Sequence, residues 1–590
     1  MSEEPDNPIA AVIDAAQEVR DPLEGLVERR REDAGAAFES DVLAALVALK
    51  RTDRPAFERL RAQLKDVGQR LGALDEAIAR ADDDSGTRPK QVNILLELAE
   101  SAERFHAPDG TAYADILVDG HRETWPIGSK GFREWLLRSY FETRGGAPGS
   151  ESVRSAISMI EAQARHGGSA QEVHNRVAGF EDRIYIDLGN EQWDAIEVDA
   201  AGWRIIANPP VRFRRAAGTK ALPAPKHGGS IQQLRPFLNV QSEHRFVLAV
   251  SWALAAFRHR GPYPVLALSG EHGSAKSTFT AILRAVLDPN TAPMRSLPRE
   301  DQDLFIAAYN AHLLAFDNIS GLPTWISDTL CRLSTGGSFA VRQLYTDRDE
   351  ILFDAVRPMI LNGIEDIVTR PDLADRSLFL KLEPIPEDKR RSEEEFWAAF
   401  ARELPDILSA LLDGVAKGLA MLAQTSHDKL PRMADFARWA TACETAFWPA
   451  GTFAAAYEAN RDDAVEGMIE ADLVADTLRA FMAKRTVRTV WTGTATELLG
   501  ALNQEAGEKV RRDKSWPVTA RGLRGRLTRA ASSLRKVGID IAPPSREGHA
   551  RERIFTISCV PEHSSAQPSA PSAPATSPAD DLLEEGELPF

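Results

Sequence analysis

Apolar residues recur at three- and four-residue spacings through FESDVLAALVALKRTDRPAFERLRAQLKDVGQRLGALDEAIARA, with charges between them, which predicts helices from about Asn7 to Arg80. The run from Asp82 to Gly86 breaks that pattern. From Pro89 to Leu222 the period changes. Short β-rich runs (YADILVDG, DRIYIDLG, DAIEVDAAGWRIIANPPVRFRR) alternate with helical ones (GFREWLLRSYF, SVRSAISMIEAQARH), as expected of an α+β domain. ALPAPKHGGS, Ala221–Ser230, reads as a linker out of it. The expected organisation is a helical region over 1–88, an α+β domain over 89–225 and an α/β core over 226–395. A helical connector over 396–470, a basic module over 471–560 and a tail over 561–590 follow.

Composition narrows the classes. The chain has 590 residues, 43% of them hydrophobic, and its 87 acidic against 71 basic side chains give a net charge of -16. That is an ordinary globular balance, and the length excludes a small single-core binder. The three cysteines, Cys331, Cys443 and Cys559, are far apart and form no CxxC or His/Cys cluster, which argues against a disulfide scaffold or a zinc module. The first residues after Met1 are Ser-Glu-Glu-Pro-Asp, and the longest nearly apolar stretch runs only from Phe246 to Phe257. The expectation is a cytoplasmic protein without a membrane span.

The chemistry concentrates in PVLALSGEHGSAKSTFTAILRAVL, an apolar run to Ser269, a loop and a helical pattern. This is the context a Walker A motif needs, with Gly270, Glu271, His272, Gly273, Ser274, Ala275, Lys276, Ser277 and Thr278 as its nucleotide-binding residues. Backbone N–H groups of such a loop wrap a phosphate at a helix N-terminus, Lys276 neutralises the β- and γ-oxygens, and Ser277 ligates Mg²⁺. Ala275 departs from the pattern, which has glycine there. Downstream, AHLLAFDNIS ends an apolar strand in Asp317, placed as a Walker B carboxylate for the metal. Its neighbour is Asn318 rather than glutamate, and an amide can orient a water but cannot take its proton. RPMILNGI ends in Asn362, which can sense a γ-phosphate or simply make an Asn-Gly turn. In RPDLADRSLFLKL, Arg370 and Arg376 precede a strand. Arg376 is the candidate finger acting on a neighbouring subunit's ATP, against a local pairing with Asp372 or Asp375.

In this order the motifs resemble the AAA+ core of superfamily 3 helicases. GEHGSAKST, LLAFDNISGLPTWISDTLCRLSTGGSFAVRQLYTDRDEILF and RPMILNGIEDIVTRPDLADRS look like the ATPase region of phage, prophage and plasmid primase-helicase-like proteins, over about Leu234–Glu395. The resemblance implies a P-loop parallel-sheet core, ATP and Mg²⁺, a hexameric ring, and a hairpin gripping single-stranded DNA through Arg342, Tyr345 and Arg348. Their chemistry suits phosphate contact and base stacking. No polymerising centre is visible, since Asp187 stands alone and Asp115 with Asp119 lacks the spacing for two metals.

Between Lys484 and Arg553 there are 16 Lys and Arg against 7 Asp and Glu, a local reversal of sign that points to a polyanion. Helix, helix and closing hairpin there resemble a winged-helix domain. Leu523, Leu527 and Leu534 would face a core, leaving Arg521, Arg524, Arg529 and Lys536 for phosphates. Beyond Val560, a Pro/Ser/Ala segment reads as a disordered tether. It ends in DDLLEEGELPF, which resembles the tip of bacterial single-stranded-DNA-binding proteins, with Pro589 and Phe590 filling a partner's pocket. A merely solubilising tail is the alternative.

Three functions fit: an ATP-driven DNA helicase or translocase in replication of a mobile element, a DNA-bound loader or remodeller, and a weakly catalytic AAA+ scaffold or defence component.

Overall fold

A computed structural model describes residues 21–84, 90–337, 339–342, 350–353, 355–364, 367–426, 431–484, 490–547 and 552–559. The chain is a multidomain mixed α/β protein that divides into two compact units.

The first unit comprises the residues up to His174 and Pro210–Arg214. Its N-terminal part is helical: Leu26, Val42, Leu46, Phe57, Leu64, Leu74 and Ile78 bury against one another, the inward stripe of the periodic pattern. Its remainder lays the helices Gln91–Leu98, Lys130–Arg144 and Ser150–Gly167 against an antiparallel sheet of Glu103–His106, Ala112–Val118 and His121–Pro126. Asp115 is buried in that sheet, accepting from Thr124 Oγ1 at 2.6 Å and Arg212 Nε at 2.9 Å. Its lone pairs are therefore spent within the fold.

The second unit takes Asn175–Pro209 and everything from Arg215 on. The single α+β domain expected over 89–225 is thus divided. Strands Val177–Phe180, Arg183–Asp187, Ala195–Asp199 and Gly202–Ile206 form an antiparallel meander whose inner face shares a core with the large helices downstream. Asp187 in this meander is clasped by Arg215 Nη2 and Nε, at 2.6 and 3.0 Å.

The centre of the second unit is a parallel sheet. Helix α1 (Glu243–Ala256) precedes strand β1 (Val265–Ser269), which leads through a loop into α2 (Lys276–Leu287). Helix α3 (Asp301–Asn310), β2 (Leu314–Ile319), α4 (Thr324–Thr335), β3 (Met359–Gly363) and β4 (Ser377–Lys381) follow. The sheet order is β2-β3-β1-β4 with every pairing parallel. Alternation sorts each strand's side chains between two layers. Leu266 and Leu268 face the core that holds α1 and α2, while Val265 and Ala267 face the one that holds α3 and α4. Burial on both sides explains the unbroken apolar reading of VLAL. Between α4 and β3, Phe339–Arg342 pairs antiparallel with Glu350–Phe353.

Helix α5 (Glu393–Met421) starts within the expected 226–395 core but packs as one body with α1, α6 (Ala434–Glu444) and α7 (Thr452–Ala471). A long continuous helix crosses the boundary placed at residue 395. Helix α8 (Leu473–Ala483), strand β5 (Val490–Thr494), α9 (Ala495–Glu505), α10 (Ala520–Lys536), β6 (Ile539–Glu547) and β7 (Glu552–Cys559) close the described chain. The antiparallel order β5-β7-β6 covers a core of Leu498, Leu502, Leu523, Leu527, Leu534, Phe555 and Ile557. Among the described residues no helix is long and apolar enough to cross a membrane.

Candidate functional site

The loop Gly270–Ala275 joins the C-terminal end of β1 to the first turn of α2. Gly270 has φ +154, and a Cβ there would stand 2.4 Å from the Leu382 carbonyl oxygen, so only glycine lets the chain turn. Ala275, the departure from the motif, takes φ 60 and ψ 33 as the N-cap of α2. An L-residue pays for that left-handed conformation, which is why the pattern has glycine here. Ser274 is buried and donates to the Glu271 carbonyl at 2.8 Å, drawing the loop into a ring.

Lys276 turns back into this ring. Its Nζ donates to the carbonyl oxygens of Gly270 at 2.7 Å and Glu271 at 2.9 Å. Burial lowers its pKa, and the Asp317 carboxylate pulls the other way. The cation is held in the middle of the loop by weak neutral acceptors that an anion would outbid.

Next to it, four side chains from three elements form a chain of hydrogen bonds. Ser277 Oγ donates to Asp317 Oδ2 at 2.8 Å, Asn362 Nδ2 donates to Asp317 Oδ1 at 3.2 Å, and Thr280 Oγ1 donates to Asn362 Oδ1 at 2.8 Å. Asn362 is fully buried, so its amide is committed to these partners. A hydroxyl and a carboxylate 2.8 Å apart at the mouth of a glycine-containing loop suit a hard cation such as Mg²⁺, which takes oxygen ligands. The donor set fits both a phosphate chain and its metal.

Asn318 follows Asp317 with φ 58, a left-handed geometry that asparagine tolerates better than most residues. It is exposed, as are Glu271, His272, Gly273 and Ser277, whereas Thr278 is half-buried.

Arg376 is not brought to this site. Val265 at the start of β1 pairs with Ser377, and Ser269 at its end pairs with Lys381, so the whole length of β1, about 20 Å from the level of Arg376 to Gly270, separates the backbone of Arg376 from that of the loop. Its Nη1 donates to the Asp372 carbonyl oxygen at 2.7 Å, while Arg370 pairs with the Asp328 carboxylate at 2.9 Å. The local pairing weighed for Arg376 is thus made through backbone rather than carboxylate.

Arg342 lies on the described hairpin, opposite Glu350. Tyr345 and Arg348 fall outside the described residues, as do Pro589 and Phe590. On α10, Arg521 and Arg529 are exposed and Arg524 is half-buried, while Leu523, Leu527 and Leu534 face the core. Lys536 is bound elsewhere, its Nζ lying 3.2 Å from Asp375 Oδ1.

Sequence reasoning missed two contributors. Asn239 Nδ2 donates to the carbonyls of Ser274 at 3.0 Å and Glu383 at 2.6 Å, holding the loop against the segment after β4. No local pattern marks it. Thr280 was findable: it sits four residues after Lys276, a polar residue on the buried face of an amphipathic helix.

Residues 231–467 match the family described as actinomycete integrative conjugative element replication protein, and residues 474–574 match that family's C-terminal domain. The two matches cover more than half of the chain. No curated protein matches it. Among solved structures, "SCCmec type IV Cch - active helicase" aligns at 12% identity and TM-score 0.44, over 77% of this chain and 92% of that one. "The A form apo structure of NrS-1 C terminal region-CTR" aligns at 12% identity and TM-score 0.36, over 79% and 98%.

Proposed function

Because the chain belongs to the family of actinomycete integrative conjugative element replication proteins, we propose that it is an ATP-driven helicase or translocase working on the DNA of such an element. The observation that carries the reading is the chain of hydrogen bonds from Ser277 through Asp317 and Asn362 to Thr280, set beside the Lys276 ring. It supports an AAA+ P-loop core in which loop N–H groups and Lys276 take the phosphates of ATP. Ser277 and Asp317 would hold Mg²⁺, which supplies charge neutralisation on the phosphate oxygens. Asn362, held by Asp317 and Thr280, would sense the terminal phosphate through the Asp317 carboxylate. Asn318 orients the attacking water without accepting its proton.

The distance of Arg376 from its own loop favours a role on a neighbouring copy's ATP in a ring. By the same reading, Arg342, Tyr345 and Arg348 grip single-stranded DNA. Arg521, Arg524 and Arg529 of a winged-helix-like module contact phosphates, while Lys536 stays with Asp375, and the acidic tail presents Pro589 and Phe590 to a replication partner. A second reading, a nucleotide-gated scaffold with weakened turnover, is favoured by the strained Ala275 and by Asn318.

One experiment separates them: ATP hydrolysis by the purified chain with and without single-stranded DNA, beside Lys276→Ala. Turnover that DNA stimulates and the variant abolishes is expected. Tight ATP binding with no turnover above Lys276→Ala would sink the motor and leave the scaffold.

A further inference from the structure

The segment after β4 is strapped across the phosphate-binding loop. Leu382 N donates to the Ser269 carbonyl at 2.8 Å, Ile385 N donates to the Gly273 carbonyl at 3.1 Å, and Asn239 bridges Ser274 and Glu383. The strap ends in Arg390, whose Nη2 lies 3.8 Å from where a Cβ on Gly273 would stand. The guanidinium is poorly engaged by protein. Its Nε reaches the Ile385 carbonyl at 3.4 Å, the outer limit of a hydrogen bond, and Nη1 comes no nearer than 3.9 Å to the exposed Glu387. A side chain that is 58% exposed, weakly held and fixed against the crown of an anion-binding loop is a donor fork without a strong acceptor.

We propose that Arg390 is a second cation for the nucleotide, donating to a phosphate oxygen of the ATP held by the same chain. This rests on the nucleotide-binding reading of the loop. A triphosphate carries up to four negative charges, and Lys276 alone offers one positive charge from within the loop. Arg390 approaches at Gly273, where its planar fork can take one or two oxygens. The strap's backbone bonds from Leu382 to Ser269 and from Ile385 to Gly273 tie the segment that carries Arg390 to the loop. Nothing in the sequence marked Arg390, because it lies 114 positions after Lys276 and outside every motif.

The test is calorimetric titration of the full chain with Mg-ATP, comparing wild type with Lys276→Ala, Arg390→Ala, Arg390→Lys and Glu387→Ala, each checked for an unchanged melting temperature. Arg390→Ala is expected to weaken binding by about tenfold to a hundredfold, the range for a hydrogen bond to a charged group. Arg390→Lys should recover part of the loss, and Glu387→Ala should bind as wild type. If Arg390→Ala binds ATP normally while Lys276→Ala does not, the proposal is overturned and the nucleotide site stands. If Glu387→Ala loses as much as Arg390→Ala, the guanidinium is a clamp on its own strap and the proposal is again overturned. Failure of folded wild type to bind ATP would remove the site and this role together.

Discussion

Ala275 shows how one methyl group is weighed against a turn. Its φ of 60 places an L-residue in the left-handed region, at a cost of about 1 to 2 kcal/mol. Replacing it with glycine removes that cost and gives back some freedom to the unfolded chain, leaving a net gain of about 0.5 to 1 kcal/mol. Ala275→Gly is therefore expected to raise the melting temperature by roughly 1 to 3 °C in a thermal scan. A fall instead would mean that the methyl packs productively in the loop. Asn318, at φ 58, carries less strain, because its short polar side chain suits the same region.

At the scale of elements, the residues that matter lie away from the loop. Arg176, fully buried, donates through Nε to Asp288 at 3.1 Å and through its other nitrogens to the carbonyls of Asp187 and Lys220. Asp288 caps the end of α2 and also accepts the backbone N–H groups of His312 and Leu313, just before β2. One carboxylate thus ties the meander, the helix bearing Lys276 and the strand bearing Asp317. Burial works against its charge, but Arg176 and Arg284 outweigh that and hold its pKa below the usual carboxylate range.

His312 in the same cluster is pushed down to about 4, chiefly by burial. Its unfolded imidazole, near pH 6.5, takes up a proton well before the folded one does. The stabilisation from keeping it neutral is complete above pH 6.5 and is lost as pH falls toward 4, on the order of 3 kcal/mol. Urea titrations between pH 7 and 4 are expected to show that decline, and His312→Gln should flatten it whatever its effect at pH 7. An unchanged slope would place the titration elsewhere.

This network also marks where the sequence stops being legible. The strand, loop and helix around Lys276 could be read from a contiguous pattern, as could Asp317 and Asn362 from strand ends. The helical stripe of Leu523, Leu527 and Leu534 was equally local. The allocation of the meander to the second unit was not legible, because it rests on a core shared with α1 and α5 and on Arg176 meeting Asp288, 112 positions away. Asn239 escaped for the same reason, since it acts by bridging two distant backbones. Periodicity reports which face of an element is buried, and it is silent about which element covers that face.

For the whole molecule, a net charge of -16 coexists with a strongly basic C-terminal module, and under the proposed function the local field would decide where DNA goes. Arg521 and Arg529 stand exposed on α10 with Arg524 beside them, whereas Lys536 is already paired with Asp375. Replacing the three arginines with alanine is expected to lower the slope of log affinity against log salt by roughly 2 to 3, similarly for unrelated DNA sequences, when followed by fluorescence anisotropy. Lys536→Ala should change it less. A slope unmoved by the triple variant would take DNA away from this helix.

Lys276 and Arg376 belong to opposite ends of one sheet, so under the proposed assembly every copy owns two half-sites and no whole one. Output then tracks encounters rather than molecules. A cell holding few copies would hold an inert protein, and a modest rise in expression would switch it on steeply, giving the element a threshold on its own replication without a separate repressor.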